Sequence, residues 1–251
     1  MLETVTTGRV QAPRRIMLYG TQGIGKSTFA SMAPAPIFIQ TEDGLGEIDC
    51  AKFPLIQDFS ETISALQSLA NETHEFQTVV IDSLDWLERM IWDVVCLKAE
   101  KRVNNIEEIG YGKGYIMALN YWRAILAGLT DLRAGKGMTV ILIAHAKIER
   151  FENPETESYD RYTPRLHKHA AALVQEWCDE VLFATYKVYT KQTDEGFKKE
   201  RVRGVGTGER IIRTTERPSH VAKNRLNLPE EIPLDFAVYA SLVNQQQEKG
   251  E

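Results

Sequence analysis

The 251-residue sequence has no apolar run of the roughly 18 residues that a membrane-spanning helix needs. Its opening, MLETVTTGRVQAPRR, also holds no apolar core of the signal-peptide kind. Neither membrane insertion nor secretion is expected, and the reading is a cytosolic protein. Cysteine is scarce: Cys50, Cys96 and Cys178 are an odd number without CxxC spacing, which argues against a disulfide framework and a thiolate zinc site. Internal repeats and low-complexity segments are absent as well. Excess positive charge is missing, since the formal net charge is -5. That charge is uneven: from Lys187 to Arg225 there are 11 Lys/Arg against 5 Asp/Glu, an excess of 6 that leaves the remainder at -11. An acidic body with a basic C-terminal third can meet a polyanion on one face, and a solvated hairpin surface explains the same charges equally well.

What is present begins with YGTQGIGKST. Gly20, Thr21, Gln22, Gly23, Ile24, Gly25, Lys26 and Ser27 satisfy GxxxxGK(S/T) in full, a match expected by chance about once in a hundred chains of this length. RRIMLY before it reads as a buried strand, and STFASMA after it opens a helix. Strand, loop and helix in that order let backbone amides face phosphate oxygens, with Thr28 at the start of the helix. Lys26 is expected to reach the β- and γ-phosphates, and the Ser27 hydroxyl to coordinate Mg²⁺.

Further along, APIFIQTED is an apolar run that stops at acidic residues, and DFSETISALQSLAN starts with a capping-box pattern at Asp58 and Glu61. QTVVIDSLDWL and MTVILIAHAK are two more strand-like runs, separated by one long helical region from about Leu84 to Arg133. VLFATYKVYTKQTDEGFKKERVRGVGTGERIIRTTE alternates, with turn signals at Asp194 to Gly196 and at Gly204 to Gly208, and reads as antiparallel strands extending the sheet. With 43% hydrophobic residues the chain can bury one large core. The expected organisation is an N-terminal tail (1–13), one α/β domain (14–243) with a mostly parallel sheet flanked by helices, and a polar tail (244–251).

Several side chains are placed to complete a site at the strand ends. Asp82 in VVIDS is the expected Mg²⁺ partner of Ser27. Glu42 in FIQTEDG can orient a water opposite the γ-phosphate, with Asp43 as competitor and a helix-capping or solvent-facing carboxylate as the plainer reading. His145 in LIAHAK points either toward the phosphates or to a backbone carbonyl. His167 and His169 lack carboxylate or Cys partners at ligand spacing and are not read as a metal pair.

The succession GTQGIGKST, FIQTEDGL, VVIDSL, LIAHAK and VAKNRLNLP resembles the RecA-type ATPase core. The likeness is to the small, AAA-type form that bacteriophages encode as RecA-like recombination and single-strand annealing proteins, and it runs from about Arg14 to Asp235. It implies a RecA-like P-loop fold, ATP and Mg²⁺ as cofactors, and Glu42 activating the attacking water. It also implies His145, where Gln is usual, coupling the γ-phosphate to a DNA-binding loop. Lys223 and Arg225 in KNR are similar to a basic pair that acts on a neighbouring subunit's ATP, so a ring or filament of copies is expected; without the resemblance, KNR reads as a basic turn. The loop after the fourth strand, IERFENPETESYDRYTPRLHKH, is then the expected contact for single-stranded DNA. In it Phe151, Tyr159 and Tyr162 can stack on bases, and Arg150, Arg161, Arg165 and Lys168 can meet phosphates. A second candidate loop carries Lys101, Arg102 and Lys113. Nothing before Arg14 or after Val243 is long enough for the extra domains of full-length RecA, so annealing or partner-assisted loading, with a single-strand-binding protein as possible helper, is favoured over autonomous strand exchange. The setting implied is the cytoplasm of a phage's bacterial host. Two other classes stay open: an ATP-gated loader within a replication complex, and a small-molecule P-loop kinase with RVRGVGTGER as its lid.

Overall fold

Strand β1 (Arg15–Gly20) is buried from Ile16 to its end, as expected of an apolar run with helices on both sides. The computed structural model describes residues 4, 5, 7, 8, 11–194 and 200–248. After the glycine-rich loop come the short α1 (Lys26–Ser31), β2 (Pro36–Gln40) and the two-residue β3 (Ala51–Lys52). Helix α2 (Phe59–Asn71) starts at Asp58, whose carboxylate accepts from the Ser60 and Glu61 amides. Glu61 Oε2 in turn accepts from the Gln57 amide at 2.6 Å, one residue earlier than in a standard capping box.

Beyond β4 (Thr78–Asp82) the long helical region read from the sequence divides into α3 (Leu84–Lys98) and α4 (Lys113–Lys136), with Lys101 and Arg102 of the second candidate loop between them. A short 3₁₀ turn at Ile106–Glu108 and the left-handed Gly112, φ 68°, reverse the chain between them. Strand β5 (Thr139–Phe151) then runs past His145 into the segment expected to be a loop. There it pairs antiparallel with β6 (Tyr159–Pro164), Ala146 opposite Pro164 and Phe151 opposite Tyr159. The β-branched and aromatic residues Ile148, Phe151, Tyr159, Tyr162 and Thr163 favour this hairpin over an irregular loop.

Helix α5 (Lys168–Trp177) leads into β7 (Glu180–Asp194) and β8 (Glu200–Arg213). The turn expected at Asp194 to Gly196 falls partly outside the described residues. The one expected at Gly204 to Gly208 is instead a continuation of β8, and the mismatch is absorbed by a register shift between Tyr186 and Val188. β9 (Lys223–Asn224), β10 (Glu231–Pro233) and α6 (Phe236–Glu248) follow, the last extending past Val243, where the sequence suggests a tail.

The sheet order is β10-β8-β7-β1-β5-β4-β2-β3, with β6 on β5 and β9 on β7. β7, β1, β5, β4, β2 and β3 are parallel to their neighbours in that order, while β8, β10, β6 and β9 pair antiparallel. Alternate residues of each parallel strand face two separate cores. Met17, Ile39, Ile81, Leu142 and Phe183 meet α2 to α5, including the fully buried Trp122. Leu18, Phe38, Val80, Ile143 and Leu182 meet Phe29 of α1 and Phe236 and Tyr239 of α6. Burial on both faces fixes the register, because a one-residue slip would exchange the two sets. It also fixes which residues emerge together at the C-terminal edge of the sheet, where Gly20 is level with His145 and Ala184, and Gln40 with Asp82.

Candidate nucleotide site

The glycine-rich loop leaves β1 at that edge. Gly20 is required by packing, since a Cβ there would overlap the Ala184 carbonyl oxygen. Gly23 and Gly25 are required by conformation, with φ of 73° and 107°. Lys26 is buried and folds back over the loop, its Nζ donating to the carbonyls of Thr21 at 3.0 Å and Gly20 at 3.3 Å. Burial lowers the pKa of this ammonium, and Asp82, Asp85 and Glu42 oppose the effect. The Thr21 hydroxyl is buried and finds no partner among the described residues.

Because β5 lies between β1 and β4, the residues after β1 and at the end of β4 meet across it. The Ser27 hydroxyl donates to Asp82 Oδ2 at 2.5 Å. Burial pushes the Asp82 carboxyl up, against the Ser27 hydrogen bond and the Lys26 charge. The exit of β2 is clamped to the exit of β4: the Thr41 amide donates to the Asp82 carbonyl at 2.7 Å and the Thr41 hydroxyl to the Ser83 carbonyl at 2.6 Å. That clamp delivers Glu42, whose Oε2 accepts from the Ser83 hydroxyl at 3.1 Å and stands 3.8 Å from His145 Nδ1.

His145 is anchored by a residue the sequence reading missed. Asp85 accepts from the His145 amide at 3.0 Å and lies 3.0 Å and 3.1 Å from Nδ1. Burial would raise the Asp85 carboxyl, but the hydrogen bonds from His145 outweigh it and hold it low. An ionised Asp85 makes Nδ1 the protonated nitrogen and leaves Nε2 outside this contact. The available signal was an acid in the first turn of a helix three residues after Asp82, which reads more simply as a dipole contact.

Gln22, Gly23, Gly25, Lys26, Ser27, Thr28, Glu42, Asp43, Asp82 and His145 share one cavity of about 370 Å³. Asp43, the competitor of Glu42, is thus in the same space. Ser27 and Asp82 offer a hydroxyl and a carboxylate already in contact, hard oxygen donors of the kind Mg²⁺ takes. No cluster of three His, Cys, Asp or Glu that could hold a metal exists among the described residues, so such an ion would need phosphate and water oxygens as well. Arg210 of β8, also missed, donates to the Ile24 carbonyl at 3.4 Å; it lies in the segment that could be taken for a kinase lid, but that segment is a sheet strand.

The residues expected to meet DNA are divided by the hairpin. Arg150, Phe151, Arg161 and Lys168 line a cavity of about 220 Å³. Tyr159 stands against Phe151 with ring centroids 5.5 Å apart, and the Arg161 guanidinium lies 3.9 Å from the Phe151 ring. Arg161 and Arg150 also have acidic neighbours, Glu216 at 3.4 Å and Asp160 at 3.9 Å. Tyr162 is not a free stacking ring, because it packs on Phe183 at 5.0 Å inside the core. Arg165 lines a different cavity, beside α3. In the second candidate loop, Lys101 and Arg102 are exposed after α3 and Lys113 begins α4.

Lys223 lies at the N-terminal end of β7, paired to Val181 three residues before Ala184, and Arg225 follows it. Lys223 Nζ donates to the carbonyls of Gln175, Glu176 and Cys178 at 2.9, 3.1 and 2.6 Å, closing the C-terminal end of α5. Arg225 donates to Asp179 at 3.2 Å, a carboxylate that also takes Arg15. Both cations are thus engaged inside their own chain.

Residues 12–226 match a protein family described as an AAA domain. A curated relative, the SPbeta prophage-derived uncharacterized protein YorG of Bacillus subtilis (strain 168), is 24% identical over 251 residues, covering 94% of this chain and 68% of that protein. Among solved structures, a crystal structure of the RadB recombinase aligns over 88% of this chain and 86% of its own, at 16% identity and a TM-score of 0.46.

Proposed function

The chain belongs to this AAA domain family, and from that premise we propose that it is a Mg²⁺-dependent ATPase whose turnover is coupled to single-stranded DNA held on the β5–β6 hairpin. The observation that carries the reading is the convergence of Lys26, Ser27, Asp82, Glu42 and His145 on one cavity at the strand ends. In it the loop amides and Lys26 hold the phosphates, and Ser27 and Asp82 hold the metal. Mg²⁺ would supply charge neutralisation on the transferred phosphoryl group. Glu42 orients the attacking water, with its carboxylate fixed by the Ser83 hydroxyl.

Coupling has a physical route. His145 and the hairpin belong to the same strand, and the Arg165 amide after the hairpin donates to the His145 carbonyl at 2.7 Å. A displacement of His145 by the γ-phosphate therefore moves both sides of the hairpin base. The likeness to a prophage-derived protein supports a phage setting, and within it we place the activity in annealing or homologous recombination by an oligomer of this chain. The acidic partners of Arg150 and Arg161 favour a second reading, an ATP-gated loader in which the hairpin grips a protein.

Phosphate release from Mg-ATP, measured with and without a long single-stranded oligonucleotide over a range of protein concentrations, separates the two. Stimulation by DNA that steepens with protein concentration supports the recombination reading. Turnover indifferent to DNA supports the loader. A Glu42→Gln variant that hydrolyses ATP at the wild-type rate would remove Glu42 from the mechanism.

A further inference from the structure

Behind the His145–Asp85 pair lies a second cavity, of about 330 Å³, between α3, β5 and the segment that enters α5. Asp85 belongs to its wall, so the two spaces are separated by one hydrogen-bonded pair. Two of its lining side chains, Glu88 and Trp92, carry buried polar atoms without a partner among the described residues. Glu88 is only 4% exposed, and its Oε2 accepts from the His167 amide at 2.8 Å. Its Oε1 is buried and finds no partner among the described residues, nor does the buried indole nitrogen of Trp92. Orphaned groups of this kind cost free energy unless something else satisfies them. Trp92 and His167 set two rings in the wall, and Tyr115 packs on both from outside the lining, meeting Trp92 at 5.5 Å and stacking on His167 at 3.9 Å with the rings 5° from parallel. The cations Arg89 and Arg165 also line it.

This set selects a ligand chemistry. The cations disfavour a metal ion, and the buried carboxyls disfavour an acidic peptide. A bare phosphate would leave the indole nitrogen and Oε1 unmet. A flat group with donors and acceptors along its edge, joined through a short linker to a negative charge, satisfies all of them. We propose that this cavity takes a nucleobase with its adjoining phosphate, Trp92 and Glu88 meeting the base, Arg89 and Arg165 meeting the phosphate, and Asp85 linking occupancy to His145. The base has two sources, a bound single strand or a free nucleotide. The first rests on the nucleic-acid reading above; the second does not.

The test uses the full chain and three probes: a labelled oligothymidylate, an abasic oligomer of equal length, and thymidine monophosphate. The strand source predicts that the base-bearing oligomer binds roughly tenfold more tightly than the abasic one, the usual scale for aromatic stacking of a base. Trp92→Ala should erase that preference, and the near-isosteric Glu88→Gln should shrink it if the Trp92 variant fails to fold. Monophosphate binding that Trp92→Ala abolishes, with neither oligomer bound, would uphold the cavity while overturning the nucleic-acid reading. Equal binding of both oligomers without monophosphate binding would overturn the cavity and leave the nucleic-acid reading standing. A preference for the base-bearing strand that survives both substitutions would likewise overturn it. Binding of no probe would overturn both.

Discussion

Replacing Glu88 with glutamine should change how the stability of this protein depends on pH. The Glu88 carboxyl is pushed from its ordinary 4.5 up to about 7, first by burial, with the His167 amide and the Lys147 charge opposing and Asp85 adding to the rise. In the unfolded chain the group loses its proton near the ordinary value, so between the two the native state binds more protons than the unfolded state. Stability from this group is therefore fully present below about pH 4.5 and falls as the pH rises through about 7. The whole interval is worth roughly 3 kcal/mol for a single site. Most of it, about 2 to 3 kcal/mol, lies between pH 5 and pH 8. The substituted amide cannot ionise, while His167, Lys147 and Asp85 remain in both proteins, so the difference between the two curves isolates the one carboxyl. The assay is urea unfolding followed by far-ultraviolet circular dichroism at several pH values across that range. Glu88→Gln should gain stability relative to the wild type as the pH rises. Curves that stay parallel from pH 5 to pH 8 would refute the assignment of a protonated carboxyl to this cavity.

Gly20→Ala should destabilise the fold by about 2–3 kcal/mol, because the new methyl overlaps the Ala184 carbonyl oxygen and forces β1 from β7; chemical denaturation reads the loss. Lys223→Ala removes the donor to three carbonyls at the end of α5 and should cost about 1–2 kcal/mol, with phosphate release per folded molecule unchanged if the cap is its whole role. A steep loss of turnover with stability intact would instead support Lys223 acting on a neighbour's nucleotide. Asp82→Asn should abolish the difference between nucleotide affinities measured with Mg²⁺ and with chelator, an effect of about tenfold or more; an undiminished difference would place the metal elsewhere.

The glycine-rich loop, the strands that frame it and the acid ending β4 were legible in the sequence because each is a local pattern. Gly23 and Gly25 answer to backbone conformation at their own positions, Ser27 to the helix start that follows the loop, and Asp82 to a strand end that an apolar run announces. The resemblance to RecA-type cores placed Glu42 and His145 in the same neighbourhood, and the sheet brings both to the same cavity. The helical region after β4 breaks where the left-handed Gly112 turns the chain back, a point that helical periodicity alone does not mark. The hairpin was taken for a loop because its polar residues outweighed its β-forming ones until the ladder to β5 was in place.

What the sequence by itself determined is the glycine-rich loop and the alternation of strands and helices that frames it, since both are written as patterns of residues close along the chain. Only the tertiary structure decided that Asp85 anchors His145, that Lys223 closes α5 from 45 residues away, and that Glu88 and Trp92 share a cavity with Arg165. Those relations depend on strand order and on burial. A carboxyl or a lysine has no fixed role until packing determines which groups surround it and how much water is left.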